Sequence, residues 1–196
     1  MRRRVCGCVL ATAVSVLAAG PSGAVTVDAP LLCAEEDATI VGTDADDILH
    51  GTNKRDIIVG GDGADVIYGL GSWDYICGEG GDDTLLGGKD YDLIVGGAGN
   101  DVIRGETGGD ILEGGPGADT LRGGPHSDHL QGGTGDDHLY GGGDLVRGAT
   151  DLSDIIRGNT GDDHLAGGAG RNRNLPGPGF DRCRAPMTAA CEARWT

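Results

Sequence analysis

The chain has 196 residues, 40 of them glycine, with an aromatic content of 4% and a formal net charge of −16 at pH 7. Such an acidic chain repels nucleic acid and anionic lipid and attracts cations, which disfavours nucleic-acid-binding and membrane-surface roles. The length is sufficient for one domain.

The first 24 residues have the pattern of a secretory signal peptide. Arginines occupy residues 2–4, residues 5–19 are apolar, and small residues at 22–24 form a cleavage site. The apolar run is too short to span a membrane, and no other segment is apolar enough to do so. We therefore predict a secreted, extracellular protein. A membrane anchor and a lipoprotein attached through Cys8 are the alternatives.

From Gly42 onward the chain repeats with a period of nine residues. Eleven blocks, of which GGDGADVIY (60–68) is typical, cover residues 42–140 without an insertion. Every block begins with glycine and has Asp at position six and Leu or Ile at position eight. A fixed period of this kind indicates one structural unit stacked on copies of itself.

The pattern becomes irregular after the eleventh block and then recovers. We interpret residues 141–147 as a block that is two residues short, and residues 148–157 as a block that is one residue long. Three further blocks run to residue 184, and the middle one has Asn172 and Asn174 at positions six and eight. This interpretation gives sixteen blocks, fifteen of which carry the aspartate.

Each block consists of a turn followed by a short strand. Positions one to six, with the pattern G-G-x-G-x-D, predict a turn because glycine supplies positive φ angles. Positions seven to nine place one apolar side chain between two outward-facing neighbours, the pattern of a very short strand. Two blocks then form one coil, and stacked coils enclose the position-eight side chains between two parallel sheets. The predicted fold class is all-β, a parallel solenoid.

The same stacking brings the position-six carboxylates of alternate blocks above one another. Closely stacked carboxylates repel by kcal/mol amounts unless a cation lies between them. Aspartate oxygens and free turn carbonyls are the ligands that Ca²⁺ prefers, so we predict several calcium ions. A local turn-forming role is the alternative for each aspartate. The predicted metal ligands are Asp47, Asp56, Asp65, Asp74, Asp83, Asp92, Asp101, Asp110, Asp119, Asp128, Asp137, Asp144, Asp154, Asp163 and Asp181.

The block G-G-x-G-x-D-x-U-x, in which U is apolar, is similar to the nonapeptide of repeats-in-toxin (RTX, haemolysin-type) calcium-binding proteins. GGDGADVIY and GGAGNDVIR carry the resemblance, which covers residues 42–184. The opening ATIVGT and the cysteine-containing tail resemble small secreted actinobacterial calcium-binding members. The resemblance implies a right-handed parallel β-roll with calcium in its turns. The first two blocks depart from the pattern, with Ala45 and Lys54 at position four.

Four cysteines remain after the predicted cleavage: Cys33, Cys77, Cys183 and Cys191. An even number in an exported chain suggests disulfides, with free thiols as the alternative. Three pairings are possible, and Cys33–Cys77 with Cys183–Cys191 would close the open ends of the solenoid. The predicted domains are a signal peptide (1–24), an N-terminal cap (25–41), the calcium-binding β-roll (42–184) and a C-terminal cap (185–196).

The sequence contains no nucleophile–base set, phosphate-binding loop or zinc-protease motif, so we predict that the protein is not an enzyme. We expect a secreted calcium-binding protein that folds when calcium binds and has a structural or interaction role, with an extracellular or cell-surface partner. An orphaned RTX module that assists the export or folding of a separate enzyme or toxin is the alternative. An ice-binding solenoid is disfavoured, because only Thr84 and Thr120 occupy the outward positions that it would need.

Two further patterns bear on binding. His129, His138 and His164 all occupy position seven, which suggests zinc, but neighbouring blocks would place them on opposite sheets. The outward positions seven and nine are apolar in the early blocks, as at Val59 and Leu93. This pattern indicates either an exposed partner surface or only the preference of strands for branched residues.

Overall fold

The computed structural model describes residues 38–142, 154–168 and 172–184. The predicted signal peptide, most of the N-terminal cap and the whole C-terminal cap lie outside these ranges, as do Cys8, Cys33 and Cys191. The predicted caps and disulfides therefore stay predictions. No helix in the described ranges is long and apolar enough to cross a membrane.

The described residues form sixteen β-strands and no helix. The strands are β1 (Ile40–Val41), β2 (Ile48–His50), β3 (Ile57–Asp62), β4 (Val66–Gly71), β5 (Tyr75–Gly80), β6 (Thr84–Lys89), β7 (Leu93–Ala98), β8 (Val102–Thr107), β9 (Ile111–Pro116), β10 (Thr120–Arg122), β11 (His129–Thr134), β12 (His138–Tyr140), β13 (Ile155–Thr160), β14 (His164–Ala166), β15 (Arg173–Leu175) and β16 (Arg182–Arg184).

The strands form two parallel eight-stranded sheets. Sheet 1 contains the odd-numbered strands in the order β1-β3-β5-β7-β9-β11-β13-β15, and sheet 2 contains the even-numbered strands in sequence from β2 to β16. Paired residues are one coil of two blocks apart, as for Ile58 with Ile76 in sheet 1 and Ile67 with Leu85 in sheet 2. The prediction of an all-β parallel solenoid with two blocks in each coil is confirmed.

Many strands are longer than the three residues expected from positions seven to nine. Nine strands contain six residues, because each continues through positions one to three of the next block. These added residues also pair in the parallel sheet, because Gly61 pairs with Glu79 and Asp62 with Gly80 one coil further on. For these blocks the prediction of a very short strand was wrong, and the turn is confined to positions four to six.

The core is a single file of position-eight side chains between the two sheets. Ile40, Leu49 and Cys183 pack against its ends, where they are partly buried. Burial of one such side chain stabilises the fold by about 2 kcal/mol, so each block contributes little against the entropy lost by its glycine-rich backbone. The apolar position-eight side chains that are at most 2% exposed are Ile58, Ile67, Ile76, Leu85, Ile94, Ile103, Leu112, Leu121, Leu130, Leu139, Ile156 and Leu165.

The apolar residues at the outward positions of the early blocks do not form an exposed patch. Val59 is 1% exposed and Leu93 is 4% exposed, and Val66, Tyr68 and Leu86 are half-buried. Each of these positions is flanked by the same position of the adjacent coils, which lie at strand spacing and cover it from both sides. Of the two interpretations of this pattern, the structure therefore favours the preference of strands for branched residues over an exposed partner surface.

The irregular segment after β12 is one block with an insertion, not two irregular blocks. The backbone N–H of Asp128 donates to Oδ1 of Asp154 at 3.0 Å across 26 residues, where other coils span 18. Gly141 lies against the Asp154 carboxylate, as other position-one glycines lie against the aspartate of their own block. Within the described ranges, fifteen position-six residues therefore stack in register, and the sixteen-block interpretation was wrong at this point.

The core file has one polar member near its C-terminal end. Asn174 occupies position eight of β15, is 1% exposed and pairs in register with Ile156. Neither its Oδ1 nor its Nδ2 has a hydrogen-bond partner. An unpartnered buried amide destabilises a fold by about 1–3 kcal/mol, so this coil is less stable than the all-apolar coils before it.

We predict that Asn174→Leu stabilises the folded protein, because it removes the unpartnered amide and continues the apolar file. The expected gain of about 1–3 kcal/mol corresponds to a rise of roughly 3–10 °C in melting temperature for a domain of this size. Thermal unfolding at saturating calcium, followed by circular dichroism, measures the change. Ile156→Leu is the control and should shift the melting temperature much less. A lower or unchanged melting temperature in Asn174→Leu would contradict the interpretation.

Candidate metal centre

The position-six aspartates form a buried ladder along each side of the roll. The backbone N–H of each aspartate donates to Oδ1 of the aspartate one coil further on, at 2.8–3.0 Å. Every aspartate at position six from Asp56 to Asp163 in the described residues is buried. The hydrogen bond fixes the orientation of each carboxylate and uses one of its two oxygens.

The second oxygen of most ladder carboxylates is buried and has no hydrogen-bond partner. It lies beside the position-one glycine of its own block. A Cβ atom on Gly96, for example, would meet Asp101 Oδ2 and, at 2.7 Å, the carbonyl oxygen of Gly114 one coil further on. Two oxygens therefore approach the space that the glycine leaves open. Aspartates with this unpartnered Oδ2 include Asp65, Asp74, Asp83, Asp92, Asp101, Asp110, Asp119, Asp137 and Asp163.

Asn172 shows what these oxygens lack. Its Oδ1 accepts the backbone N–H of Asp154 at 2.9 Å, which is the ladder hydrogen bond of an aspartate. Its Nδ2 donates to the carbonyl oxygen of Gly167 at 2.6 Å. Where the chain supplies an amide donor, the glycine carbonyl accepts it. Where the chain has aspartate, an oxygen stands in place of the donor, and a proton or a metal cation must satisfy it.

The first two blocks satisfy the second oxygen with threonine. The N–H and hydroxyl of Thr43 donate to Asp47 Oδ2 at 2.7 and 2.8 Å, and those of Thr52 donate to Asp56 Oδ2 at 2.6 and 2.8 Å. These two carboxylates belong to the ladder but already have donors. The sequence analysis missed this role, although threonine occupies position two only in these two blocks.

The remaining predicted ligands lie near or after the insertion. Asp128 and Asp154 are fully buried ladder neighbours, and Asp181 is half-buried, with its Oδ1 accepting the N–H of Asp163 at 3.0 Å. Asp144 lies outside the described residues. The structure thus places fourteen of the fifteen predicted aspartates in the ladders.

Burial makes the charged form of these carboxylates unfavourable. Desolvation is the largest cause of each shift, and it raises the pKa of Asp92 to about 8 and the pKa values of Asp101 and Asp137 to about 7. The carboxylates of the adjacent coils raise these three pKa values further, against the lowering effect of the ladder hydrogen bond. Near neutral pH a proton or a bound cation therefore favours the burial of these three carboxylates. Burial also raises to about 6 the pKa values of Asp74, Asp83 and Asp110.

The donor set fits calcium when backbone carbonyls are included. No group of three His, Cys, Asp or Glu side chains within the described residues is placed to hold a metal ion. A cation at the ladder would therefore need carbonyl ligands, and the position-one glycine carbonyls lie beside the unpartnered Oδ2 atoms. Calcium accepts six to eight oxygen ligands of both kinds in a flexible geometry.

The histidines do not form the zinc site that their shared position suggested. His138 and His164 are adjacent in sheet 2, with ring centroids 5.8 Å apart, whereas His129 belongs to β11 in sheet 1. Zinc sites in proteins take four ligands in tetrahedral geometry, with nitrogen and sulfur preferred. No such set forms among the residues that the structure describes.

The family model for the RTX calcium-binding nonapeptide repeat matches the chain at residues 41–76, 50–85, 78–112, 86–121, 122–144 and 149–182. These segments together cover well over half of the chain and both sides of the insertion. A comparison with curated proteins finds no match.

We predict that acidification favours the metal-free roll. The folded state, with carboxyl pKa values of about 6 to 8, binds protons that the unfolded chain, with aspartate pKa values near 4, does not bind until the pH is lower. Lowering the pH from 8 to 5 should therefore increase the β content of protein from which metal has been removed.

Calcium-loaded protein is the control, and its β content should stay nearly constant between pH 8 and 5. Its carboxylates are ionised both in the unfolded chain and when calcium is bound, so few protons are exchanged when the loaded protein folds. Far-UV circular dichroism of both samples over the same pH series measures the two effects. A metal-free β content that is constant or falls between pH 8 and 5 would count against neutralisation as the requirement for folding.

Proposed function

We propose that this chain, which belongs to the RTX calcium-binding nonapeptide repeat family, is a secreted calcium-binding β-roll that folds when calcium binds. We assign it a structural or interaction role and no catalytic activity. The extracellular location rests on the predicted signal peptide at residues 1–24. The even number of cysteines that remains after the predicted cleavage suggests disulfides, which agrees with such a location.

The observation that carries the proposal is the row of buried carboxylate oxygens without donors. Asp65, Asp83, Asp101, Asp119 and Asp137 repeat the same arrangement in successive coils, each with Oδ2 unpartnered. Calcium bound beside them would supply the positive charge that these carboxylates lack. The aspartates would hold it through Oδ2, and the glycine carbonyls beside them would complete the ligand set.

Folding and binding are expected to be coupled because the site requires the coil. The carboxylate of one coil and the glycine carbonyl of the next coil border the same space only when both coils are in register. The unfolded chain therefore has no preformed site, and the free energy of binding contributes to folding. The single-file core and 40 glycines leave little other stabilisation.

A structural or interaction role is supported by the uniformity of the buried polar groups. Twelve buried aspartates repeat the same ladder arrangement instead of forming one distinct catalytic cluster. Catalysis depends on a few groups whose environments differ in a specific way, such as an acid and a base with separated pKa values. A repeated array instead suits cooperative cation binding and the support of an extended surface.

We predict that the mature protein is largely disordered without calcium and acquires β structure at millimolar calcium. Magnesium should substitute poorly, because it requires near-octahedral geometry and gives up its water reluctantly. Far-UV circular dichroism during calcium and magnesium titrations measures both effects. A native-like spectrum in excess EGTA would contradict calcium-coupled folding.

We further predict that Asp101→Ala raises the calcium midpoint for folding more than Asp47→Ala does. Asp101 has an unpartnered buried Oδ2, whereas Asp47 Oδ2 already has two donors from Thr43. The substitution removes about 2–3 kcal/mol from the free energy of calcium-coupled folding. Because several ions bind during folding, this loss should raise the calcium midpoint only roughly twofold. Asp47→Ala should leave the midpoint nearly unchanged. Equal shifts in the two variants would show that the unpartnered oxygen does not mark the binding site.

A further inference from the structure

The two edges of the roll, where the chain passes between the sheets, have different turns. The glycine edge consists of the turns that lead from sheet 1 to sheet 2, and the mixed edge consists of those that lead from sheet 2 to sheet 1. On the glycine edge, position four is glycine in every described turn after the first: Gly63, Gly81, Gly99, Gly117, Gly135, Gly161 and Gly179. On the mixed edge, position four is Lys54, Ser72, Asp90, Gly108 and His126 in the first five turns.

The glycine edge has a backbone conformation that other residues cannot share. Its position-four glycines have φ angles of 120–152°. A Cβ atom on Gly99 would overlap the carbonyl oxygen of Gly81 in the preceding coil, and the same contact recurs along the edge. The N–H of Gly99 donates to the carbonyl of Pro116 at 3.0 Å in the next coil. These turns therefore stack closely and regularly.

The mixed edge is irregular at the same position. Ser72, Asp90 and His126 have φ angles of 81°, 74° and 96°, which lie in or near the left-handed helical region. A residue with a side chain is destabilised there by about 1–2 kcal/mol. The insertion between Gly142 and Asp154 also falls on this edge, as does Asn172, the ladder residue that has its own donor.

The charges of the exposed turn residues also separate by edge. Described residues at positions two to five of the mixed edge include three bases, Lys54, Arg55 and Lys89, and two acids, Asp90 and Glu106. Those of the glycine edge include no base. A divalent cation is therefore attracted to the glycine edge more strongly than to the mixed edge. The acids at these positions of the glycine edge are Asp44, Asp46, Asp62, Glu79, Asp82, Asp136 and Asp162.

We propose that the protein has two classes of calcium site, of which the glycine edge fills first. This inference rests on the proposed function. The tight sites lie in the six gaps between the seven successive glycine-edge carboxylates from Asp65 to Asp181. The mixed-edge carboxylates, such as Asp92, have the same unpartnered oxygen but bind calcium more weakly. Several of their turns have a strained residue with a side chain at position four, and the lysines and arginine of the described turns lie only on this edge. Partial loading thus orders one edge of the roll while the other still responds to calcium concentration.

Asp101→Asn and Asp92→Asn form a matched pair that tests the inference in the mature full-length protein. Asn172 shows that asparagine keeps the ladder hydrogen bond and supplies its own donor, so either change should preserve the fold. Native mass spectrometry across a calcium series should show the unsubstituted protein reaching a plateau at about six ions, with further binding at tenfold or more higher free calcium. Asp101→Asn should lower that plateau by one or two ions, and Asp92→Asn should leave it unchanged.

The two proposals fail in different ways. If the unsubstituted protein binds no calcium, the proposed function is wrong. If it binds calcium but Asp92→Asn lowers the first plateau as much as Asp101→Asn does, or if uptake shows no plateau, the inference of two classes is wrong. The triple variant Asp74→Asn, Asp92→Asn, Asp110→Asn removes several mixed-edge carboxylates at once. It should retain the first plateau and lose most of the second, because Asp128 and Asp154 remain as an adjacent pair on that edge. Loss of the first plateau would overturn the inference.

Discussion

The hydrogen bond between each position-six N–H and the carboxylate of the next coil is the interaction on which the rest of the structure depends. Because it occupies Oδ1, it leaves Oδ2 in the same buried place in most coils, beside the position-one glycine. Desolvation of a buried carboxylate costs several kcal/mol, and one apolar side chain in each block contributes about 2 kcal/mol. The apolar core therefore cannot offset the buried charge, so a proton or a bound cation must neutralise it.

This arrangement requires glycine for two reasons: a Cβ atom would clash with neighbouring oxygen atoms, and the backbone conformation suits only glycine. Gly96 leaves open the space that Asp101 Oδ2 and the Gly114 carbonyl approach, so any side chain there would occupy the cation position. Gly99 lies against a backbone carbonyl at a φ angle of 145°, which a residue with a Cβ cannot adopt. These glycines also increase the conformational entropy of the unfolded chain, which lowers the stability of the folded chain. The same residues thus open the candidate metal site and lower the stability of the folded chain.

Much of the fold follows from the period alone. A nine-residue unit with one apolar position cannot bury its side chain unless it stacks, so the two parallel sheets, the 18-residue register and the position-eight file were predictable. The strand length could not be predicted in this way. The strands extend through Gly61 and Asp62 because of backbone pairing, which the side chains at these positions do not encode. The prediction at the insertion before Asp154 was wrong for a related reason. Glycines and an aspartate occur there at nearly the spacing of a block, and only the hydrogen bond from Asp128 shows that Asp154 is the paired aspartate. The donors of Asp47 and Asp56 were missed because position two was treated as part of a generic turn.

The chemical unit of this protein is the coil of eighteen residues and not the block of nine. Successive blocks have the same ladder aspartate and the same core residue, but they face opposite edges. Residues that share a position in alternate blocks therefore stack on one another.

At position five of the mixed edge, Arg55 lies 4.5 Å above the Trp73 ring, and Trp73 contacts Tyr91 of the next coil with centroids 6.1 Å apart. At position five of the glycine edge, the side chains of Asp82 and Asn100 instead accept backbone N–H groups from the coils that follow. When all blocks are aligned with a period of nine residues, the position-five side chains of the two edges are mixed and neither pattern is visible. Aligning every second block separates them into two columns. Because each column stacks only on itself, substitutions can accumulate on one edge without disturbing the other, and a repeat that is uniform in its core can carry two different surfaces.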